Sequence, residues 1–538
     1  MLNHDALRVN GAEGPIMRGS PLPRVYRGRT LADALRTQAS GSGHIRQLFW
    51  SDGVTSAISL AELDRAARHF ARALASLGIV KGDRVAVQMP NRIESAVAYR
   101  ACLALGAVLT PVVHIYGAAE LTFVLQQSQA RVLIVPDRWR SIDFQQRVSQ
   151  TGDCPDLRHI IVVGNATLGG ALSYADLMAS DHAAFDEVAV DENDPALLLY
   201  TSGTTAAPKG VLHSSRTLLS ELDQRLACGE NSRATTFSAW PAGHIGGFSS
   251  LLNPQLTGGP SVIMDRWSPE DGVRLMAEHR VERTAGVPVF LSELLDYSVT
   301  LGSDLSSLTS YMSGAANVPP ALVERAAQAG IAVFRCYGST EHPTITASRP
   351  SDPLHARAYT DGPVLPGGEV RLLDADDRDV AGTGEGEIVT RGAERFDRYT
   401  DDTLTTAAFT PDGWFRTGDI GRFDNGLLII TDRKKDIIIR GGENISSKEV
   451  EDVLARHPAV REAAAFSVPH PRLGEAVCAA VQLREGASLT LAEVNAHFIA
   501  AQVARQKIPE RIEVLAELPR TPSGKVKKNE LRARFGGG

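Results

Sequence analysis

The chain has 538 residues, 43% of them hydrophobic and 22% charged, with a formal net charge of −7. At ~100–200 residues per domain this is too long for one simple core, and the composition excludes a disordered or fibrous chain. The acidic balance gives no sign of the basic face a nucleic-acid binder presents, so no nucleic-acid partner is expected. The five cysteines, Cys102, Cys154, Cys228, Cys336 and Cys478, are scattered and lack C-x-x-C spacing. That argues against a zinc site or a disulfide framework and for a reducing compartment. There is no basic-then-apolar leader, no run near the ~18 apolar residues of a membrane span, and no C-terminal retention or peroxisomal address. The expectation is a cytoplasmic protein without integral membrane association.

Residues 1–28 are rich in Gly, Pro and Arg, show no periodicity and read as a loose arm. From Leu60, the residues Leu63, Phe70, Leu74 and Leu77 share one helical face, and Gly78 is placed to end that helix. Val85, Val87 and Met89 alternate as a strand; a helix over 93–105 ends at Gly106, and a strand follows at 108–113. Strand, helix, strand in this order predicts a parallel α/β sheet, and the alternation runs to about residue 350. Past residue 360 the segments shorten and carry Gly-Asp turns, which predicts antiparallel strands. Gly382-Thr383-Gly384-Glu385-Gly386 reads there as a hairpin turn, because it lacks the strand-turn-helix setting of a dinucleotide loop. Strands at 427–431 and 437–440 flank the charged stretch Asp432-Arg433-Lys434-Lys435-Asp436. A helix from 447 with Val450, Val453 and Leu454, strands at 462–468 and 476–483, a helix near 490–503 and a basic tail complete the chain. The fold class expected is α/β: a large N-terminal domain (1–431) of stacked mixed sheets with helices, a hinge at 432–436, and a small C-terminal α+β domain (437–538).

Five motifs carry chemistry. Thr201, Ser202, Gly203, Thr204, Thr205 and, after Ala206-Ala207-Pro208, Lys209 and Gly210 follow the apolar strand Ala196-Leu197-Leu198-Leu199. Hydroxyls, backbone amides beside glycine and a lysine cation are what a polyphosphate needs, although the order is not that of a Walker loop. Tyr337-Gly338-Ser339-Thr340-Glu341 offers an aromatic face, a glycine turn, a hydroxyl and a carboxylate, suited to adenine, an α-phosphate and Mg²⁺. Gly418-Asp419 supplies two acceptor oxygens for a ribose diol. The charged stretch 432–436 precedes Gly441-Gly442, whose glycines let backbone approach a ligand. Pro519-Arg520-Thr521-Pro522-Ser523-Gly524-Lys525 places one lysine able to stabilise negative charge in a transition state.

Taken together, these motifs resemble those of the adenylate-forming superfamily: acyl-CoA synthetases, peptide-synthetase adenylation domains and luciferases. The resemblance spans about residues 30–530, with one departure, Ala206 where the family usually has Gly. It implies that 201–210 holds the β- and γ-phosphates, Tyr337 the adenine, Thr340 the α-phosphate, Glu341 the metal and Asp419 the ribose. Gly314, Ala315 and Ala316, after Ser313, would form the backbone strip along the nucleotide and acyl carbonyl. Arg433 would contact the nucleotide, Lys435 occupy the hinge, Gly441 and Gly442 serve thioester formation, and Lys525 serve adenylation. His244, which has no second ligand at metal spacing, would gate the acyl pocket. The cofactors implied are ATP, Mg²⁺ and coenzyme A. The partners are a small carboxylic acid and coenzyme A or a carrier-protein thiol, in a monomer or homodimer. Phe237-Ser238-Ala239-Trp240 lacks the acid that peptide-synthetase domains use for an amino group. A pocket near His244, Phe248, Val287, Pro288, Met312, Ala315 and Cys336 has no formal charge, so a medium-chain, alicyclic or other apolar acid is expected.

Overall fold

The computed structural model describes residues 16–183, 189–201, 208–229, 233–380, 384–441, 443–501, 503–521 and 524–536. Two eight-stranded sheets form the bulk of the N-terminal part. The first runs, edge to edge, through Leu172–Ser173, His159–Val163, Val132–Pro136, Arg84–Val87, Val108–Pro111, Pro195–Tyr200, Gly210–Ser214 and Arg398–Tyr399. It is parallel up to Pro195–Tyr200 and antiparallel beyond. The second runs through Thr346–Ala347, Ala332–Tyr337, Ser310–Ser313, Arg283–Gly286, Thr236–Ser238, Ser261–Met264, Arg46–Ser51 and Val54–Ser59. Its middle is parallel and its two edges are antiparallel. Central strands such as Val132–Pro136 are buried along their whole length, as parallel strands covered on both faces must be.

The helices follow from their patterns. Leu60–Ser76 buries Leu60, Leu63, Ala67, Phe70, Ala71 and Leu74, one stripe at helical spacing. Ser59 and Glu62 form a capping box at its start, a device contributing about 1 kcal/mol. Leu77 caps the end and Gly78 follows at φ 80°. Ile93–Leu105 is buried on nearly every side and stops at Gly106 in the left-handed region, φ 69°. Its Arg100 is buried and pairs with Asp64 at 2.9 Å.

An antiparallel five-stranded sheet comes next, in the order Met17–Arg18, Glu369–Leu373, Gly386–Arg391, Phe415–Asp424, Leu427–Arg433. Its first strand corrects the reading of 1–28 as a loose arm for residues 16–28, residues 1–15 lying outside those described. Met17 and Arg18 pair with Val370 and Glu369, and the Val25 amide donates to Asp223 at 3.1 Å. The buried ion pair Arg335–Asp361, 2.7 Å, lies where this sheet meets the second eight-stranded sheet, and Asp361 also accepts from the Ile430 amide at 2.9 Å. The last sheet, Glu443–Ile445, Ile438–Arg440, Gly474–Leu483 and Val460–His470, with Arg511–Val514 against Gly474–Leu483, forms the C-terminal unit. Helices Ser447–Leu454 and Leu491–Ala500 supply its core with Val450, Val453, Leu454, Val494 and Phe498. Among the described residues no helix is long and apolar enough to cross a membrane.

Candidate active site

Side chains alternate along the parallel strands of the second sheet, and that alternation builds the site. On Ala332–Tyr337 the even positions Phe334 and Cys336, continued by Gly338, line a cavity of about 230 Å³. The odd positions Arg335 and Tyr337 turn instead toward Asp361 and Asp419. On Ser310–Ser313 the same rule sends Ser310 and Met312, then Gly314, into the cavity. Gly314 is required there, since a Cβ would stand 2.5 Å from Cys336 Sγ. Ala315 lines the cavity with φ 63°, a left-handed conformation uncommon outside glycine.

His244, Gly314, Ala315, Gly338, Thr340 and Lys525 all face this one cavity, although 281 positions separate the first and last (525 − 244). Ala316 follows Ala315 but is exposed and does not line it. Burial, then the neighbouring charges of Lys525 and His114, holds His244 down at about 3, so its ring is neutral; its buried Nε2 has no hydrogen-bond partner among the described residues. Burial, then Arg433, lowers Lys525 to about 8.

Beside the cavity runs a polar chain. Tyr337 donates its hydroxyl to Asp419 Oδ2 at 2.8 Å, and Asp419 Oδ1 pairs with Arg433 Nε at 3.0 Å. Burial and the Asp419 charge raise Tyr337 well above the ordinary phenol range, and Asp419 raises Arg433. A carboxylate has about four lone-pair sites, so Asp419 retains capacity for a diol. Glu341 accepts at Oε1 from the Tyr399 hydroxyl, 2.7 Å, and the Lys209 ammonium lies 5.0 Å from the centre of the same Tyr399 ring. Thr201 and Lys209 are joined, at the two ends of the hydroxyl-rich stretch, by reciprocal backbone and hydroxyl bonds. Ser202, Gly203, Thr204, Thr205 and Gly442 lie outside the described residues. Lys435 and Gly441 do not line the cavity; the Gly441 amide donates to the Leu473 carbonyl at 2.8 Å.

Among the described residues no cluster of three or more His, Cys, Asp or Glu side chains is set to hold a metal. A lone carboxylate such as Glu341 still fits Mg²⁺, which keeps waters and takes its other ligands from substrate phosphates.

The pocket differs from its sequence reading in two ways. Phe248 and Val287 are core residues, and neither they nor Pro288 line the cavity. Glu221, Arg225 and Arg283 do line it, which corrects the expectation of a wall without formal charge. Sequence reasoning also missed Tyr399 and His213, whose bonds to the 337–341 turn join residues far apart in the chain. An odd/even reading of the strands Ser310–Ser313 and Ala332–Tyr337 could have found Ser310 and Phe334.

Residues 35–400 match the AMP-binding enzyme family, and residues 449–525 match the AMP-binding enzyme C-terminal domain. The chain is 35% identical over 492 residues to the medium-chain fatty-acid–CoA ligase of Escherichia coli, covering 89% of this chain and 86% of that one. It is 32% identical over 487 residues to the salicyl-AMP ligase / salicyl-S-ArCP synthetase of Mycobacterium tuberculosis, covering 89% and 86%. The crystal structure of ATP-bound MatB from Rhodopseudomonas palustris superposes with a TM-score of 0.82 at 28% identity, over 94% of this chain and 99% of that one. These matches cover both the large and the small part of the fold, and the chain belongs to the AMP-binding enzyme family.

Proposed function

We propose that the chain activates a carboxylic acid with ATP and transfers the acyl group to coenzyme A. The observation that carries this reading is the meeting of Lys525, Thr340, His244 and Ala315 around one cavity beside the Tyr337–Asp419–Arg433 chain. Membership of the AMP-binding family and the named CoA ligase relative support it.

In the first half-reaction a carboxylate oxygen attacks the α-phosphorus of ATP, the bond to the bridging oxygen breaks, and pyrophosphate leaves. The protein's task is positioning and charge neutralisation. The Lys525 ammonium and the Thr340 hydroxyl stabilise negative charge on the α-phosphate and the attacking oxygen. Tyr337 packs on the adenine, Asp419 accepts from the ribose, and Arg433 holds Asp419 and the nucleotide. The loop 201–210 binds the outer phosphates. Glu341, oriented by Tyr399, would hold Mg²⁺, which when bound neutralises charge on the departing group. His244, neutral above about pH 3, gates the acyl entrance without adding charge next to Lys525. In the second half-reaction the thiol sulfur attacks the acyl carbonyl, AMP leaves, and the thiol proton passes to solvent. The C-terminal unit turns at 432–436, where Leu427–Arg433 of the antiparallel sheet gives way to Ile438–Arg440 of the last sheet. Lys525 withdraws, and the backbone at Gly441 and Gly442 takes its place. The acid has an apolar body, medium-chain or alicyclic, set against Met312, Ala285, Phe334 and Trp240.

The relative named as a salicyl-S-ArCP synthetase favours a second reading, in which the acceptor is a carrier-protein thiol. A panel of carboxylic acids with MgATP, read by AMP and pyrophosphate release, separates the two. Release that requires coenzyme A and yields a thioester is the expected result. Acyl-AMP that accumulates and ignores coenzyme A would favour the carrier protein.

A further inference from the structure

The cavity has two chemically different ends. Its upper end, at the C-terminal tips of the parallel strands, holds Gly314, Gly338, Thr340 and Lys525. Its lower end lies at the level of Ser310, which pairs in register with Arg283 on one side and Ala332 on the other. Four residue-to-residue steps lead from Ser310 to Gly314, so at ~3.3 Å per step the floor lies ~13 Å below the rim. Between them the wall includes the apolar side chains of Met312, Ala285, Phe334 and Trp240.

The floor is polar. Arg283 comes from the foot of its strand, Glu221 and Arg225 from helix Ser215–Ala227, and Asn253 from helix Ile245–Thr257. Asn253 Nδ2 is buried and donates to nothing among the described residues. Glu221 is buried and accepts from Ser249 Oγ at 2.9 Å and, longer, from Thr344 Oγ1 at 3.4 Å. Arg225 and Arg283 also line a second cavity of about 240 Å³, which shares Ser310, Met312, Phe334 and Thr344 with the first. The two guanidinium groups therefore stand at the partition between the chambers.

A pocket built only for a hydrocarbon tail has no use for such a floor, since an alkyl end would leave the buried Asn253 Nδ2 without an acceptor and set hydrocarbon against the charged side chains beside it. We propose that the preferred acid carries a second oxygen acceptor, a ketone or a carboxylate, at the end remote from the activated carboxylate. Arg283 and Asn253 donate to it across an otherwise apolar pocket. The proposal rests on the adenylation reading above and specifies its substrate class. A site that hydrogen-bonds a distal group discriminates against the analogue lacking it far more strongly than an apolar pocket discriminates by size.

The test compares kcat/KM for decanoate, 9-oxodecanoate and decanedioate in the full-length protein with MgATP and coenzyme A, followed by pyrophosphate release. The expected result is at least a tenfold preference for one or both oxygen-bearing acids. That preference should fall at least fivefold in Arg283→Met and in Asn253→Leu, with folding of each variant checked by its melting curve. A lead for 9-oxodecanoate assigns a neutral acceptor, and a lead for decanedioate an anionic one; either supports the proposal. Decanoate as the best substrate of the unaltered protein would overturn it and leave the ligase reading standing, whatever the variants do. No pyrophosphate with any acid, in protein that binds ATP, would overturn the ligase reading and this inference with it.

Discussion

The turn at 337–341 and the hairpin that carries Lys525 reach the same cavity but are held in opposite ways. The turn is pinned from several sides. His213 donates from Nε2 to the Thr340 carbonyl at 2.8 Å, and burial keeps that ring neutral by lowering it to about 4. The Phe396 amide donates to the Glu341 carbonyl at 2.7 Å, Tyr399 holds the Glu341 carboxylate, and His342 is locked between Thr390 and Glu394. Gly338 passes so close to the Pro343 carbonyl that no side chain would fit. Among the described residues the Lys525 segment is tied by Thr521 N to Lys525 O at 2.7 Å, Lys525 N to Thr521 Oγ1 at 3.1 Å and Arg520 to the Gly524 carbonyl at 2.8 Å, with Arg520 also paired to Glu462 of its own unit. Its neighbour across the cleft is the Val287 side chain, near Gly524. Polar bridges between the two parts include Asn317–Asp452 at 2.9 Å and the partly exposed Arg461–Glu293 pair at 3.2 Å. A partly exposed pair such as Arg461–Glu293 is worth only about 0–1 kcal/mol, so it permits rearrangement. On the mechanism proposed above the contrast is a division of labour: groups needed throughout the reaction are fixed, and the group needed once is portable.

Replacing the portable lysine sharpens this most. Lys525→Ala should slow acyl-AMP formation about 10²–10³-fold. Thioester formation from supplied acyl-AMP should stay near the unaltered rate, measured by single-turnover quench. An equal loss in both half-reactions would break the division.

The pH dependence comes next. Lys525 is lowered to about 8, so its ammonium is present below that pH and lost as pH rises through it. kcat/KM for adenylation should be flat from pH 6.5 to about 8 and then fall about tenfold per unit. Lys525→Arg should remove this limb. Bound ATP adds negative charge beside the ammonium and should move the limb in kcat to higher pH.

On the pinned side the effects are smaller. Tyr399→Phe removes one hydrogen bond to the Glu341 carboxylate, worth about 1.5 kcal/mol. The Mg²⁺ concentration for half-maximal rate should rise about tenfold, with the acid preference unchanged. His213→Leu removes the donor to the Thr340 carbonyl, worth about 1 kcal/mol. It should lower kcat of the first half-reaction about fivefold and leave the KM for the acid unaltered.

The pinned turn was the more legible of the two in sequence, because its residues are contiguous and their order is distinctive. The same is true of the helix from Leu60, whose apolar spacing and Gly78 mark both face and end. The supports of the turn were not legible, since Tyr399 and His213 act across 58 and 127 positions. The strand Met17–Arg18 left no trace in local periodicity, because two residues carry none and its partner stands at Glu369–Val370. The polar floor was hidden for a related reason. Arg283 begins a strand and Glu221, Arg225 and Asn253 sit on two helices, so no local pattern shows that the four line one cavity. Sequence reading placed the apolar wall at Met312, Ala315 and Cys336 and extended that character too far down.

A rapid-quench experiment on the unaltered protein separates the two half-reactions: MgATP and an accepted acid are mixed without thiol, and coenzyme A is added after a delay. A pyrophosphate burst close to one per enzyme is expected before the addition, and conversion of the bound acyl-AMP to thioester after it. Pyrophosphate that appears only once coenzyme A is present would contradict two separable half-reactions served by one fixed and one portable set of groups.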